Sequence, residues 1–115
     1  MQSDPNGLSA KQPGSKLDKG KAPVFQGLLQ YFPRACKAVA DVSGFGASKY
    51  SWGGWGTAPD GINRYSDAMC RHILAEQIEG PIDAESQSLH KSQIAWNALA
   101  VLELYLREIE NKEQK

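Results

Sequence analysis

The chain has no net charge, because its 13 lysine and arginine residues are matched by 13 aspartate and glutamate residues. A protein that binds nucleic acid through bulk charge needs an excess of basic residues, so this balance argues against that class. It leaves open a local pocket for one nucleotide. The sequence also lacks a charged and then apolar leader and any long apolar run, so we expect neither secretion nor contact with a membrane.

Cysteine is scarce, with two residues in a chain of 115. Cys36 and Cys70 lie in predicted helices, and their spacing matches no metal motif. We interpret them as reduced core residues of a cytoplasmic protein, with a disulfide between them as the alternative. If a phage encodes the chain, that cytoplasm is the host's. The sequence also lacks strand-like alternation, which favours an all-α fold. It contains no internal repeat and no Gly-x-x-x-x-Gly-Lys-Ser/Thr loop.

Residues 1–23 consist mainly of Gly, Pro, Ser, Lys, Gln and Asp. A segment with so little apolar surface does not offset the entropy cost of its own ordering, so we predict a flexible N-terminal arm. Two interpretations of this arm stand side by side. It is either a solvated tail or a segment whose Gly20-Lys21 folds over a phosphate when a ligand binds. Residues 24–111 are predicted to form a single helical domain.

Apolar residues at helical spacing predict three main helices, near Pro33–Lys49, Ile62–Glu79 and Leu89–Ile109. A proline suits the first turn of the first helix, and Gly80-Pro81 ends the second. The polar residues after Ile109 are expected to fray. The predicted fold is therefore all-α, with three helices, a flexible arm and a loop rich in tryptophan and glycine.

The last predicted helix carries an apolar face with the period of a core face, formed by Ala95, Leu99, Leu102, Leu106 and Ile109. Three helices in so short a chain leave some apolar side chains, such as Tyr105, hard to cover. We therefore expect a homo-oligomer, a dimer or a tetramer built on this helix.

A polar stripe runs along the same helix. His90, Gln93 and Asn97 are spaced i, i+3 and i+7, so they share one helical face. Buried polar groups cost free energy unless each has a partner, so we expect other segments to supply polar partners. Two acids, Asp83 and Glu85, precede the stripe. The stripe is therefore the predicted centre of a functional site.

Residues 50–61 form a predicted loop in which Trp52 and Trp55 stand between glycines. One interpretation is that both tryptophans fold back as a lid on a small core. The other is that they stack on a planar base.

The second predicted helix carries an Asp67–Arg71 pair at i and i+4. This pair is either a surface ion pair, or Asp67 faces inward toward His90 and serves a site. His72 lies near the edge of the predicted core, where it is either a hydrogen-bonded core residue or a ligand-binding one.

Four segments in a fixed order resemble a phage and bacterial family, the N-terminal domain of dATP/dGTP diphosphohydrolase, which is itself similar to the MazG-like all-α nucleotide pyrophosphohydrolases. The resemblance covers about residues 19–107. The segments are Lys19-Gly20-Lys21, Phe45-Gly46-Ala47-Ser48-Lys49-Tyr50 followed by tryptophans, Arg64-Tyr65-Ser66-Asp67-Ala68-Met69-Cys70-Arg71-His72, and Asp83-Ala84-Glu85-Ser86 leading to His90 and Trp96-Asn97-Ala98-Leu99.

The resemblance implies a nucleotide-binding domain that hydrolyses a nucleoside triphosphate between its α and β phosphates, with Mg²⁺ as the cofactor. The catalytic candidates are then Asp67, Glu85 and His90. The candidate metal ligands are Asp41, Asp67, Asp83 and Glu85. The candidate ligand-binding residues are Lys21, Lys49, Trp52, Trp55, Arg64, Arg71, His72 and Asn97.

The chain departs from the family pattern at three positions. Arg34 stands where an acid commonly follows the helix-starting proline, Gln87 where a glycine commonly follows the Glu-Ser pair, and Gln93 where a second histidine commonly occurs. Loss of an acid and a histidine from a metal shell can abolish catalysis and still leave a nucleotide pocket.

Three functions follow as alternatives. The first is a Mg²⁺-dependent (deoxy)nucleoside triphosphate pyrophosphohydrolase. The second is a phage protein that binds and sequesters a nucleotide or a nucleotide second messenger without catalysis. The third is a helical oligomerisation module without a small ligand.

Overall fold

The computed structural model describes residues 19–113, which form three α-helices and two short helical turns, with no strand among them. Helix α1 spans Pro33–Lys49, α2 spans Gly61–Glu79 and α3 spans His90–Glu113. A π-helical turn covers Phe25–Leu29, and a 3-10 turn covers Gly54–Thr57. The all-α prediction is confirmed. Most of the predicted arm, residues 1–18, lies outside the described residues.

Helix α3 extends beyond its predicted end at Ile109 and continues to Glu113. The expected fraying after Ile109 is therefore wrong. The reason is that Glu, Asn and Lys remove apolar packing from the helix surface but do not prevent helical backbone geometry. None of the helices formed by residues 19–113 combines the length and apolar character needed to cross a bilayer.

Among the described residues, the chain divides into two units with a boundary between Pro33 and Arg34, whereas the sequence places a boundary near residue 23. In the first unit, the backbone N–H of Gln30 donates a 2.8 Å hydrogen bond to the carbonyl oxygen of Phe25, which closes the π-helical turn. The large apolar side chains of this turn and its flanks are all exposed: Val24, Phe25, Leu28, Leu29, Tyr31 and Phe32.

In the second unit, α2 and α3 pack as an antiparallel hairpin. Gly61 at the start of α2 is buried, and a Cβ atom added there would lie 2.8 Å from Cδ1 of Leu104 in α3. A glycine thus lets the two helices approach closely. At the other end, Gly80 adopts a φ of 101° and ends α2, as predicted. The connection from Pro81 to Leu89 then brings the chain back into α3.

Burial on α3 agrees with the sequence prediction for the polar stripe and differs from it for the apolar face. The polar residues His90, Ser92, Gln93 and Asn97 are buried, and among the described residues Val42 and Ala100 are the only buried apolar side chains in the core. The face predicted as core is largely exposed, with Leu99 at 54% and Leu102 at 52%. The predicted core face is therefore wrong for a single chain. The physical reason is that α2 packs mainly on the polar side of α3, which leaves much of the apolar side exposed.

Candidate functional site

An open cleft of about 960 Å³ lies within the second unit. Its walls are the end of α1, the tryptophan loop, one face of α2, the connection before α3 and the polar face of α3. The cleft brings together most of the residues that the sequence selects for a site: Lys49, Trp52, Trp55, Arg64, Arg71, His72, Asp83, Glu85, His90, Gln93 and Asn97.

Helix α2 contributes side chains to the cleft at helical spacing. Arg64 and Arg71 are two turns apart, and the small residues Ala68 and Ala75 lie on the same face. Alanine at these positions leaves room above the helix, and the two arginines place positive charge beside that room. Neither arginine forms an ion pair within residues 19–113. The face can therefore accept an anionic group.

A histidine pair links α2 to the polar stripe of α3. Nδ1 of His72 and Nδ1 of His90 are 3.0 Å apart, and the ring centroids are 5.2 Å apart. His90 is only 1% exposed, and its Nε2 atom is buried without a hydrogen-bond partner in the described part of the chain. The expected polar partner for the stripe is thus present for one nitrogen of His90 and missing for the other.

The charge state of His72 follows from its surroundings. Burial is the main cause that lowers its pKa, and the nearby charge of Arg71 acts in the same direction. The carboxylates of Asp83 and Glu85 act in the opposite direction, but the pKa remains below the usual value for histidine. His72 is therefore neutral at neutral pH.

Ser86 joins the connection before α3 to the polar stripe. Its hydroxyl donates a 2.7 Å hydrogen bond to Oδ2 of Asp83 and accepts one of 3.3 Å from Nε2 of Gln93. Asn97 in turn donates a 2.8 Å hydrogen bond to the carbonyl oxygen of Gln93. Gln93, a departure from the family pattern, is thus held in a hydrogen-bond network at the edge of the cleft.

Asp83 is ionised at neutral pH. Burial acts to raise its pKa, but hydrogen bonds from Ser86 and from the backbone of Glu85 outweigh burial and lower the pKa. A carboxylate that accepts several hydrogen bonds holds its negative charge at a fixed place in the cleft wall.

Lys49 at the end of α1 forms an ion pair with Glu85 across the cleft. The hydrogen bond that the Lys49 ammonium donates to this carboxylate is the main cause that raises the pKa of Lys49. The Lys49 ammonium also lies 5.2 Å from the ring centroid of Tyr50. Both partners of the pair are exposed, so it adds little to stability. An incoming phosphate would compete with Glu85 for this ammonium.

The two tryptophans of the loop have different environments. Trp55 packs edge-on against Tyr65 and Trp96, and its carbonyl oxygen accepts a 2.7 Å hydrogen bond from the Tyr65 hydroxyl. Trp52 also lines the cleft but is 77% exposed. This geometry favours the lid interpretation for Trp55 and the stacking interpretation for Trp52.

Two of the predicted metal ligands lie away from the cleft. Asp41 pairs with Lys37 on the exposed side of α1. Asp67 is exposed and absent from the cleft lining, so the prediction that it faces His90 needs correction. At 3.6 residues per turn, its side chain lies roughly 90° from the centre of the α2 face that forms the cleft wall.

The four candidate metal ligands therefore do not come together to form the magnesium site that the resemblance implies. Within residues 19–113, no three His, Cys, Asp or Glu side chains converge closely enough to hold a metal ion. Asp83 and Glu85 remain at the cleft without the other two carboxylates. Lys21, a predicted ligand-binding residue, belongs to the first unit.

The sequence prediction missed two residues that build the site. Ser43 accepts a hydrogen bond from Trp96, and the ring of Tyr65 packs edge-on against both Trp55 and Trp96. A signal existed for Tyr65, because it belongs to the family-like segment on α2. Ser43 carries no such signal, since its partner is 53 residues away in sequence.

A comparison with known protein families covers the residues that form the cleft. The family described as dATP/dGTP diphosphohydrolase, N-terminal, matches residues 11–114, which is nearly the whole sequence. No curated protein and no solved structure matches the chain. The match includes the helices, the tryptophan loop and every residue of the cleft. The chain therefore belongs to the dATP/dGTP diphosphohydrolase N-terminal domain family.

Proposed function

We propose that this protein binds a (deoxy)nucleoside triphosphate in the cleft and hydrolyses it to a nucleoside monophosphate and pyrophosphate. The observation that carries the proposal is the composition of one cleft. Two arginines that form no ion pair within residues 19–113, an exposed tryptophan and a buried polar stripe meet there. The family to which the chain belongs supports the same class of ligand.

The cleft residues have distinct roles in this proposal. Arg64 and Arg71 neutralise phosphate oxygens, since guanidinium groups donate paired hydrogen bonds to such anions. Trp52 stacks on the base, because its ring is exposed beside the cleft. Asp83 is ionised and orients the attacking water as a hydrogen-bond acceptor. Mg²⁺, if it acts, needs ligands in addition to Asp83 and Glu85.

A second candidate function is binding without turnover, in which the protein sequesters a nucleotide or a nucleotide-derived signal. The dispersed carboxylates favour it, because Asp41 and Asp67 do not join the cleft. The departures Arg34 and Gln93 from the family pattern act in the same direction. A third candidate, an oligomerisation module without a small ligand, is favoured by the exposed apolar face of α3.

A thermal-shift screen over nucleotides, with and without Mg²⁺, separates these candidates. A nucleotide that raises the melting temperature supports a ligand-binding function. Pyrophosphate release identifies the enzyme, and recovery of intact nucleotide after heat denaturation identifies the binder. Absence of any shift with every nucleotide would leave only the oligomerisation module.

Two substitutions on α2 test whether the nucleotide binds in the cleft. Arg71→Gln removes a positive charge from the cleft wall and should weaken nucleotide binding about tenfold or more. Asp67→Asn removes a charge from the same helix outside the cleft, and should leave affinity and any pyrophosphate release near wild type. A loss in Asp67→Asn equal to that in Arg71→Gln would contradict the placement of the ligand.

A further inference from the structure

We propose that Nε2 of His90 donates a hydrogen bond to an oxygen atom of the bound ligand, and that His72 positions His90 for this contact by occupying Nδ1. The inference rests on the proposed function, because it takes the cleft as the ligand site. It names Nε2 of His90 as the protein atom that contacts the ligand and states that this atom is the hydrogen-bond donor.

The first observation is an unsatisfied atom. His90 is almost wholly buried, and within residues 19–113 its Nε2 is the one buried side-chain nitrogen or oxygen without a hydrogen-bond partner. Such an atom costs free energy in the folded protein, and the cost is recovered when a partner arrives. Bulk solvent does not reach the atom, whereas His90 itself contributes to the lining of the cleft. Because His90 belongs to the cleft lining, we place this partner in the cleft.

The second observation is that the other ring nitrogen is already occupied. Nδ1 of His90 lies 3.0 Å from Nδ1 of His72, so it is not available to a ligand. His72 lies in the middle of α2 and also contributes to the cleft lining, so the pair fixes the orientation of the His90 ring from the opposite helix. The remaining edge of the ring, which carries Nε2, is left for the ligand.

The charge of the cleft wall indicates what the ligand offers. Arg64, Arg71 and Lys49 line the cleft, and this set of cations suits a ligand rich in anionic oxygen. An oxygen of this kind accepts hydrogen bonds and does not donate them. Nε2 must then carry a proton, and in a neutral His90 ring Nδ1 must accept its hydrogen bond from Nδ1–H of His72.

Two substitutions at His90 separate the two ring nitrogens. The amide of His90→Asn can occupy the position near Nδ1, so it keeps the contact with His72 and removes the donor at Nε2. The amide of His90→Gln reaches the position near Nε2, so it keeps a donor and removes the contact with His72. Titration calorimetry with dATP and dGTP should show about a tenfold or greater loss of affinity for His90→Asn and a much smaller loss for His90→Gln.

A purely structural role for His90 predicts a different result, because affinity would then follow the melting temperature of each variant. Equal losses in the two variants, or wild-type affinity in His90→Asn, would overturn the inference even if the wild-type protein binds nucleotides. The proposed function alone fails if the wild-type protein binds no nucleotide but still binds inorganic tripolyphosphate or a deoxynucleoside.

Those two simpler ligands also identify the source of the oxygen. A loss in His90→Asn that appears with tripolyphosphate assigns the contact to a phosphate, and a loss that appears with the deoxynucleoside assigns it to the sugar or base. If His90→Asn binds both as wild type does, the inference is wrong.

Nitrogen-15 NMR of the wild-type protein tests the same point without any variant. We expect the His90 signals of the ligand-bound protein to show a proton on Nε2. If no ligand binds, the same signals are expected in the free protein. A bare Nε2 with the proton on Nδ1 would contradict the proposed direction of the hydrogen bond.

Discussion

The indole nitrogen of Trp96 donates a 2.8 Å hydrogen bond to the hydroxyl oxygen of Ser43, and this bond joins α3 to α1 across one wall of the cleft. The α1 wall therefore depends on a polar contact as well as on packing. Few buried apolar side chains support it, since Val42 is the only buried residue of α1.

Ser43→Ala should lower the free energy of unfolding by about 1 kcal/mol, because the partly buried indole N–H loses its acceptor. For a domain of this size, the melting temperature should fall by roughly 4–8 °C. Ser43→Thr keeps the hydroxyl and is the matched control. Equal stability of the alanine and threonine variants in urea unfolding would show that the hydrogen bond contributes nothing.

The tryptophans of the loop should respond in opposite ways to alanine substitution. Trp52→Ala should weaken nucleotide binding by about 1–3 kcal/mol and leave stability near wild type, because the ring is exposed and free to stack. Trp55→Ala should lower stability, since each aromatic contact with Tyr65 and Trp96 contributes about 0.5–1.5 kcal/mol. Calorimetric affinity and thermal melting, measured on both variants, check the pair. If Trp52→Ala lowers stability and leaves the affinity unchanged, Trp52 is part of the lid and does not stack on a base.

Local signals in the sequence sufficed to predict the helices. Pro33 marks the start of α1 and Gly80 the end of α2, because each constrains the backbone at its own position. The spacing of His90, Gln93 and Asn97 likewise predicts a shared face, and these residues do lie together on the cleft.

The direction in which each face points could not be predicted from the sequence. Leu99 and Leu102 have the period of a core face, yet the single chain leaves them exposed. Periodicity shows that residues share a face but not which neighbour covers it. The same limit applies to Asp67, whose position depends on the rotation of α2 about its axis. Contacts between distant residues, such as Ser43 with Trp96, leave no local pattern at all.

A glycine at position 87 should stabilise the protein. Gln87 adopts a φ of 62°, the left-handed region that favours glycine, at the position where the family pattern commonly has one. Gln87→Gly should relieve this strain but lose the hydrogen bond from the Gln87 amide to the carbonyl oxygen of Ala84. We expect a net gain of up to about 1 kcal/mol in unfolding free energy. Gln87→Ala keeps the strain and loses the bond, so it should be less stable than wild type in the same urea titration.

The stability of the protein should depend on pH through His72. Its pKa is lowered by burial, so below about pH 6.5 the unfolded chain binds a proton that the folded protein does not. Stability is thus complete above that pH and declines as the pH falls through it. Asp83 also stabilises the folded protein, because its pKa is lowered on folding. This contribution is lost only when the pH falls below the usual pKa of an aspartate. Urea midpoints measured from about pH 7.5 to about pH 5.5 should decline in wild type and decline less in His72→Asn. Parallel curves for the two proteins would contradict this origin.

The apolar face of α3 provides the last prediction, because about half of its large side-chain surface is exposed. Leu99, Leu102, Tyr105 and Leu106 are all about half exposed, and Leu102 and Tyr105 border a surface cavity together with Ile62 and Met69 of α2. An apolar surface of this kind on a helix that is already folded is typical of an interface between protein chains. The absence of net charge means that two copies of the chain do not repel each other strongly.

We therefore expect light scattering at micromolar concentration to give the mass of a dimer or a tetramer. Leu102→Glu together with Leu106→Glu places charge within the exposed apolar face and should shift the mass toward that of one chain. Glu108→Gln changes the charge of the same helix outside the group of leucines and should leave the assembly intact. A wild-type mass equal to that of one chain, unchanged by either set of substitutions, would show that this face is not an interface between copies.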